Sequence, residues 1–131
     1  MPYLVDTDWV INALAGRRGA ATTLRTLNPQ GLAVSLVTLG ELYESAYSSV
    51  NPDAELAVYR GFLLPFRKLG LPEPIVDKFA EIRSLLRRRG QIIPDFDILI
   101  AATSLDQQLT LLSYNVAHFR RIPDLLLYPL G

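Results

Sequence analysis

The strand-like segments of this chain are apolar along their whole length, and that constrains the fold more than any other feature. Tyr3-Leu4-Val5, Leu32-Ala33-Val34-Ser35 and Thr110-Leu111-Leu112-Ser113 show no alternation of apolar and polar residues. A strand of this kind is covered on both faces, the condition of a parallel sheet, whose crossovers lay helices on either side. The intervening segments carry helical spacing. Trp9, Val10, Ile11 and Leu14 mark a first helix ending at Gly16, and residues 20–27 a second that stops before Pro29-Gln30-Gly31. Leu39, Leu42, Tyr43 and Ala46 mark a third, closed near Asn51-Pro52. Residues 54–68 read as one long amphipathic helix and 75–89 as another with Gly90 as its stop; residues 96–105, after Pro94, are apolar enough for a central, buried helix. Leu125-Leu126-Leu127-Tyr128 reads as a last, edge-placed strand before Pro129. The expected fold is α/β: one three-layer α/β/α domain over residues 1–131, with a central parallel sheet of four to five short strands.

Composition narrows the chemistry. With no cysteine, the chain has no disulfide, thiolate metal site or cysteine nucleophile. His118 is the only histidine, against 13 Asp and Glu, so any bound metal is expected to be a hard, oxygen-seeking ion such as Mg²⁺ or Mn²⁺. Met1-Pro2-Tyr3-Leu4-Val5-Asp6 has no basic region and meets an aspartate at once, and no apolar run approaches the ~18 residues of a membrane span. A cytoplasmic protein without membrane contact is the expectation. Net charge is zero, but 11 of the 13 basic residues are arginine, the better fork for phosphate, with clusters at Arg17-Arg18, Arg87-Arg88-Arg89 and Arg120-Arg121. Each cluster alone reads as a solvated surface.

In a parallel α/β sheet, ligands bind at the carboxyl ends of the strands, where the helices also begin. That rule gathers residues far apart in sequence. Asp6 ends the first strand; Glu41 is expected in the first turn of a helix opening at Thr38; Asp95 and Asp97 open the helix after Pro94; Ser113, Tyr114 and Asn115 leave the third strand. Several carboxylates on one edge repel one another unless a cation neutralises them. Singly, most have a plainer reading. Asp95 and Asp8 suit helix capping or a first turn, Asn115 suits a turn, and His118 suits a packed or surface position better than a ligand's. Asp6 is harder to explain away, because a strand ending in the core has little use for a carboxylate.

Four blocks, in order, resemble the PIN domains, specifically the VapC toxins of toxin–antitoxin pairs. Leu4-Val5-Asp6-Thr7-Asp8-Trp9-Val10-Ile11 is similar to the family's opening strand and first aspartate, and Val37-Thr38-Leu39-Gly40-Glu41-Leu42 to its glutamate block. Asp97-Ile98-Leu99-Ile100-Ala101-Ala102-Thr103-Ser104-Leu105 resembles the third block, and Leu111-Leu112-Ser113-Tyr114-Asn115-Val116-Ala117-His118-Phe119 the last. The resemblance implies metal-dependent cleavage of RNA, with Asp6, Glu41 and Asp97 as the acidic site holding Mg²⁺ or Mn²⁺. It also implies a small VapB-type antitoxin as partner and a homodimer. Family members commonly carry a fourth acid where Asn115 or His118 stands, so Asn115 is expected to complete the site through its amide, with less charge to attract a second ion. Tyr43, Tyr47, Tyr59, Phe62 and Leu63 are the expected dimer or antitoxin surface.

Two rival readings use the same residues. Asp6-Thr7-Asp8-Trp9-Val10 also matches the start of a haloacid-dehalogenase-like phosphatase with Asp6 as nucleophile, which requires a downstream lysine; Lys68 and Lys78 are the only ones. The other rival is a non-catalytic PIN-like interaction module.

Overall fold

The computed structural model describes residues 2–130. Four strands, β1 (Tyr3–Val5), β2 (Leu32–Ser35), β3 (Arg67–Leu69) and β4 (Thr110–Leu112), form one sheet in the order β3-β2-β1-β4, every pairing parallel. Helices α1 (Thr7–Leu14) and α2 (Ala20–Leu27) connect β1 to β2, and α3 (Leu36–Tyr47) and α4 (Pro52–Phe62) connect β2 to β3. The return to the other side of β1 runs through α5 (Glu73–Arg88) and α6 (Asp95–Gln107), and α7 (Val116–Phe119) follows β4.

Side chains of a strand alternate between its faces, so the register sorts the core into two layers. Leu4 pairs with Ala33 and with Leu111, and this row packs on Ile75, Ile82 and Leu86 of α5 and on Ile98, Ala101 and Ala102 of α6. Val5, Val34 and Leu112 face the opposite way, onto Trp9 and Val10 of α1, Leu42 of α3 and Leu56 and Tyr59 of α4. Both layers are fully buried, which is why the strands are apolar throughout. Truncating a side chain such as Leu4 or Leu111 to alanine costs about 2–5 kcal/mol at sites of this kind. α5 closes as the sequence suggests: Gly90 takes a φ of +64°, and the Gln91 N–H turns back to Leu86 O, satisfying a carbonyl at the helix end.

Two segments differ from expectation. Residues 54–68 are not one helix: α4 ends at Phe62, and the chain turns into β3. Pro65 has no N–H to give to a helix, and Phe66 is buried against the core, so the segment breaks and adds an edge strand. The segment from Leu125 to Tyr128 makes one bridge, Leu111 to Leu127, with two hydrogen bonds of 2.8 Å, instead of a full strand. Glu41 also shifts, because α3 opens at Leu36 with Ser35 as its cap and so places Glu41 in the second turn.

The apolar surface expected on α3 and α4 is only partly one. Tyr59 and Leu63 are buried, Tyr43 and Phe62 half-buried, and Tyr47 alone of the five is exposed. The exposed apolar side chains nearby are Ile11, Leu14, Val50, Val58 and Leu64. Among the described residues, no helix is long and apolar enough to cross a membrane.

Candidate active site

The strand order reverses at β1, with β2 and β3 on one side and β4 on the other, and a crevice opens at the carboxyl ends where such a reversal occurs. Asp6 stands at that point. It caps α1 through Oδ1, which accepts from the Thr7 N–H at 2.8 Å, and its Oδ2 accepts from Ser113 Oγ at 2.7 Å, tying β1 to β4. Asp8, in the first turn of α1, accepts from the Tyr114 N–H through Oδ2 at 3.0 Å. Its Oδ1 is buried and has no hydrogen-bond partner.

Burial disfavours the charge on Asp6, and neighbouring Asp8 adds to the penalty; together they outweigh the hydrogen bonds from Ser113 and Thr7. The Asp6 pKa is pushed up to about 7. Asp8 moves in the same direction, again mainly through burial, and Asp97 contributes repulsion to both.

Asp97 lies in the first turn of α6, with a side chain 16 % exposed. Its Oδ2 is 2.8 Å from His118 Nδ1 and accepts from Asn115 Nδ2 at 3.1 Å. The same Asn115 nitrogen is 2.7 Å from His118 Nδ1, so one carboxylate, one amide and one imidazole share a corner, with the proton on the ring set by the tautomer. Glu41 is fixed from another side: Thr7 Oγ donates to its Oε1 at 2.6 Å, and Thr38 Oγ lies 3.3 Å from the same hydroxyl.

The expected residues Asp6, Glu41, Asp97 and Asn115 thus lie on one edge, Asn115 turning an N–H toward Asp97. Asp95 is elsewhere, paired with Arg83 at 2.8 Å on the surface. Two residues do more than was expected of them: His118, half-buried, contacts Asp97, and Asp8, in the first turn of α1 as expected, also faces Tyr114 and Ser113. Thr7 and Ser113, placed at this edge by the sequence but given no role there, are positioning groups. Their signal was adjacency: one hydroxyl follows the first aspartate, and the other ends β4 opposite it.

The donors facing the crevice are nearly all oxygens, and the buried Asp8 Oδ1 lacks a partner, so the set suits a hard divalent ion better than a soft one. Among the described residues no three Asp, Glu or His side chains close around an ion unaided. Mg²⁺ does not require that, because it keeps several waters and takes one or two carboxylates. The phosphatase reading fails on its lysine: Lys68 donates to Leu63 O, and Lys78 pairs with Glu81.

Comparison with known proteins agrees with this geometry. The sequence pattern of the PIN domain matches residues 3–125. Ribonuclease VapC2 of Haemophilus influenzae is 30% identical over 122 residues, 93% of this chain and 92% of that protein. The tRNA(fMet)-specific endonuclease VapC of Salmonella typhimurium is 26% identical over 125 residues, 95% of each chain. Among solved structures, VapBC2 from Rickettsia felis bound to a DNA fragment from their promoter superposes with a TM-score of 0.91 at 25% identity, covering 98% of both chains. With the family pattern spanning nearly all of its length and a VapC relative at 30% identity, this chain belongs to the PIN domain family, among the VapC proteins.

Proposed function

We propose that this chain is a metal-dependent endoribonuclease, the toxin of a VapBC-type pair acting in the cytoplasm. The observation that carries this reading is the meeting of Asp6, Asp8, Glu41 and Asp97 at the β1/β4 crevice, where burial and the neighbouring Asp8 push the Asp6 pKa up to about 7. The ribonuclease activity of its VapC relatives supports the choice of substrate.

Asp6 and Asp97 are assigned as the ion's direct ligands, with Glu41 and Asn115 beside them. A bound Mg²⁺ or Mn²⁺ supplies charge stabilisation at the phosphate and a more acidic water. Ser113 and the Thr7 N–H aim the Asp6 carboxylate, and Asn115 and His118 aim that of Asp97. Thr7 holds Glu41 by one oxygen, which leaves the other to orient the attacking water and take its proton. Asn115 contributes no charge, so the site favours one tightly held ion over two. The substrate is single-stranded or looped RNA, whose bases and backbone can enter a crevice at a sheet edge.

The likeness to the VapBC2 complex supports a VapB-type antitoxin as partner. We assign protein partners to the face where Ile11, Leu14 and Val58 line a shallow groove with Tyr59 between α1 and α4, and a homodimer to the assembly. The test is cleavage of single-stranded RNA by purified protein with Mg²⁺, Mn²⁺ or EDTA. Scission that EDTA stops is expected; a protein that cuts equally in EDTA, or never cuts, overturns the reading and favours the interaction module. Light scattering at micromolar concentration tests the dimer, which a monomer mass would refute.

A further inference from the structure

Tyr114 belongs to two neighbourhoods at once. Its N–H is bound to Asp8 at the acidic crevice, while its ring lines a cavity of about 490 Å³ together with Trp9, Arg18, Thr23 and Tyr128. Trp9 stacks on Tyr114 with ring centroids 4.7 Å apart and planes 2° from parallel, and Tyr128 meets Trp9 edge-on at 6.1 Å. Arg18 lays its guanidinium 4.3 Å from the centre of the Tyr114 ring.

Three features of this cavity are unsatisfied in the free protein. Trp9 is only 3 % exposed, yet its indole N–H has no acceptor, and the buried Tyr114 hydroxyl has no partner either. Such groups are uncommon in folded proteins and call for a reason. Arg18 is exposed, forms no ion pair among the described residues, and sits at a φ of +59° that a non-glycine residue seldom adopts.

The chemistry of an occupant follows. An aliphatic group would use neither the face of the Tyr114 ring nor the unpaired guanidinium of Arg18. A flat heteroaromatic ring suits this wall, because it can stack on the Tyr114 ring that Arg18 now covers and present polar edges to Arg18 and Thr23. Attached to a phosphate, it would also give Arg18 an anion.

We propose that the cavity formed by Trp9, Arg18, Tyr114 and Tyr128 is a base-binding subsite that takes a nucleobase adjoining the scissile phosphate of single-stranded RNA. The base stacks on Tyr114 where Arg18 now lies, and the guanidinium turns to the neighbouring phosphate. This rests on the ribonuclease reading and adds the element that sets which sequence is cut.

Trp9 is the only tryptophan of the chain, so its fluorescence reports on this cavity alone. Metal-free protein in EDTA is titrated with 2′-O-methyl RNA tetranucleotides of each base. Saturable quenching of Trp9 is expected, about tenfold weaker in affinity for Tyr114→Leu and for Arg18→Ala, in line with the loss of one stacked base. Tyr114→Phe keeps the stack and should bind within about threefold of the original, which guards against a variant that merely misfolds. With metal present, Tyr114→Leu should raise KM about tenfold and flatten the preference among cleavage positions. Absent or non-saturating quenching, quenching by the antitoxin but not by RNA, or unchanged binding by Tyr114→Leu would each overturn the subsite. A protein that cuts RNA without such quenching keeps its ribonuclease activity and loses the subsite. One that is quenched but never cuts keeps a base-binding cavity and loses the activity.

Discussion

The two halves of the crevice are built differently. The Asp6–Asp8 half is enclosed: both oxygens of Asp6 and one of Asp8 are held by N–H or hydroxyl groups, and both carboxyls resist ionisation. The Asp97 half is more open, its carboxylate shared by the amide that precedes α7 and the imidazole within it. The enclosed half carries electrostatic strain, which the proposed cation would relieve, while the open half is placed to meet ligand and solvent. Charge removal should therefore act on stability in the first half and chiefly on activity in the second.

The largest effect expected is from Asp97→Asn, which changes almost no volume. RNA cleavage should fall by about 10²-fold or more, beyond what changes to outer-shell partners produce, with the melting temperature little altered. A purified variant that retains full activity would remove Asp97 from the proposed metal site.

Next comes Asp6→Asn, read by thermal melts in EDTA across pH. The folded-state pKa of Asp6 lies above its unfolded value, so the native protein binds the extra proton and its stability declines as pH rises from about 4 through about 7. The variant lacks that decline. It should match the original near pH 4 and exceed it above pH 7 by about 2–4 kcal/mol, allowing for the size of the shift, while losing cleavage. Mg²⁺ should stabilise the original protein much more than the variant. Equal metal shifts in both, or a variant that melts lower at pH 8 in EDTA, would make Asp6 structural.

Asn115→Asp tests the open half by adding charge. It should lower metal-free stability by about 1 kcal/mol and tighten metal binding roughly tenfold, since a like charge beside Asp97 is relieved only by a cation. Calorimetric titration that shows no gain in Mn²⁺ affinity would place Asn115 outside the ion's reach. The smallest effect belongs to Asp95→Ala, which removes an exposed pair with Arg83 and should cost no more than about 1 kcal/mol without touching cleavage. A clear loss of activity there would extend the site past the first residue of α6.

Much of this arrangement was legible in the sequence because it follows from rules that act locally. The apolar strands announced a parallel sheet, and that sheet brings Asp6, Asp97 and Asn115 to one edge whatever the strand order. The order itself was hidden, because it depends on which strands β1 accepts as neighbours, and short apolar strands look alike. β3 was missed because Arg67-Lys68-Leu69 carries edge-strand residues, two exposed cations, that continue the pattern of the preceding helix. At the site, Asp8 and His118 were underread for a common reason. Their partners, Tyr114 and Asp97, lie 106 and 21 residues away, and no local propensity reports on such contacts.

The bond between Asp6 and Ser113 spans 107 positions, and β4 follows the other three described strands in sequence. During translation Asp6 therefore emerges more than a hundred residues ahead of its partner. A nascent or prematurely terminated chain that stops before Thr110 carries Asp6, Glu41 and Asp97 but lacks the strand that aligns Asp6, along with Tyr114 and Asn115. The alignment of Asp6 is thus a property of the far end of the described fold and not of the segment that carries it.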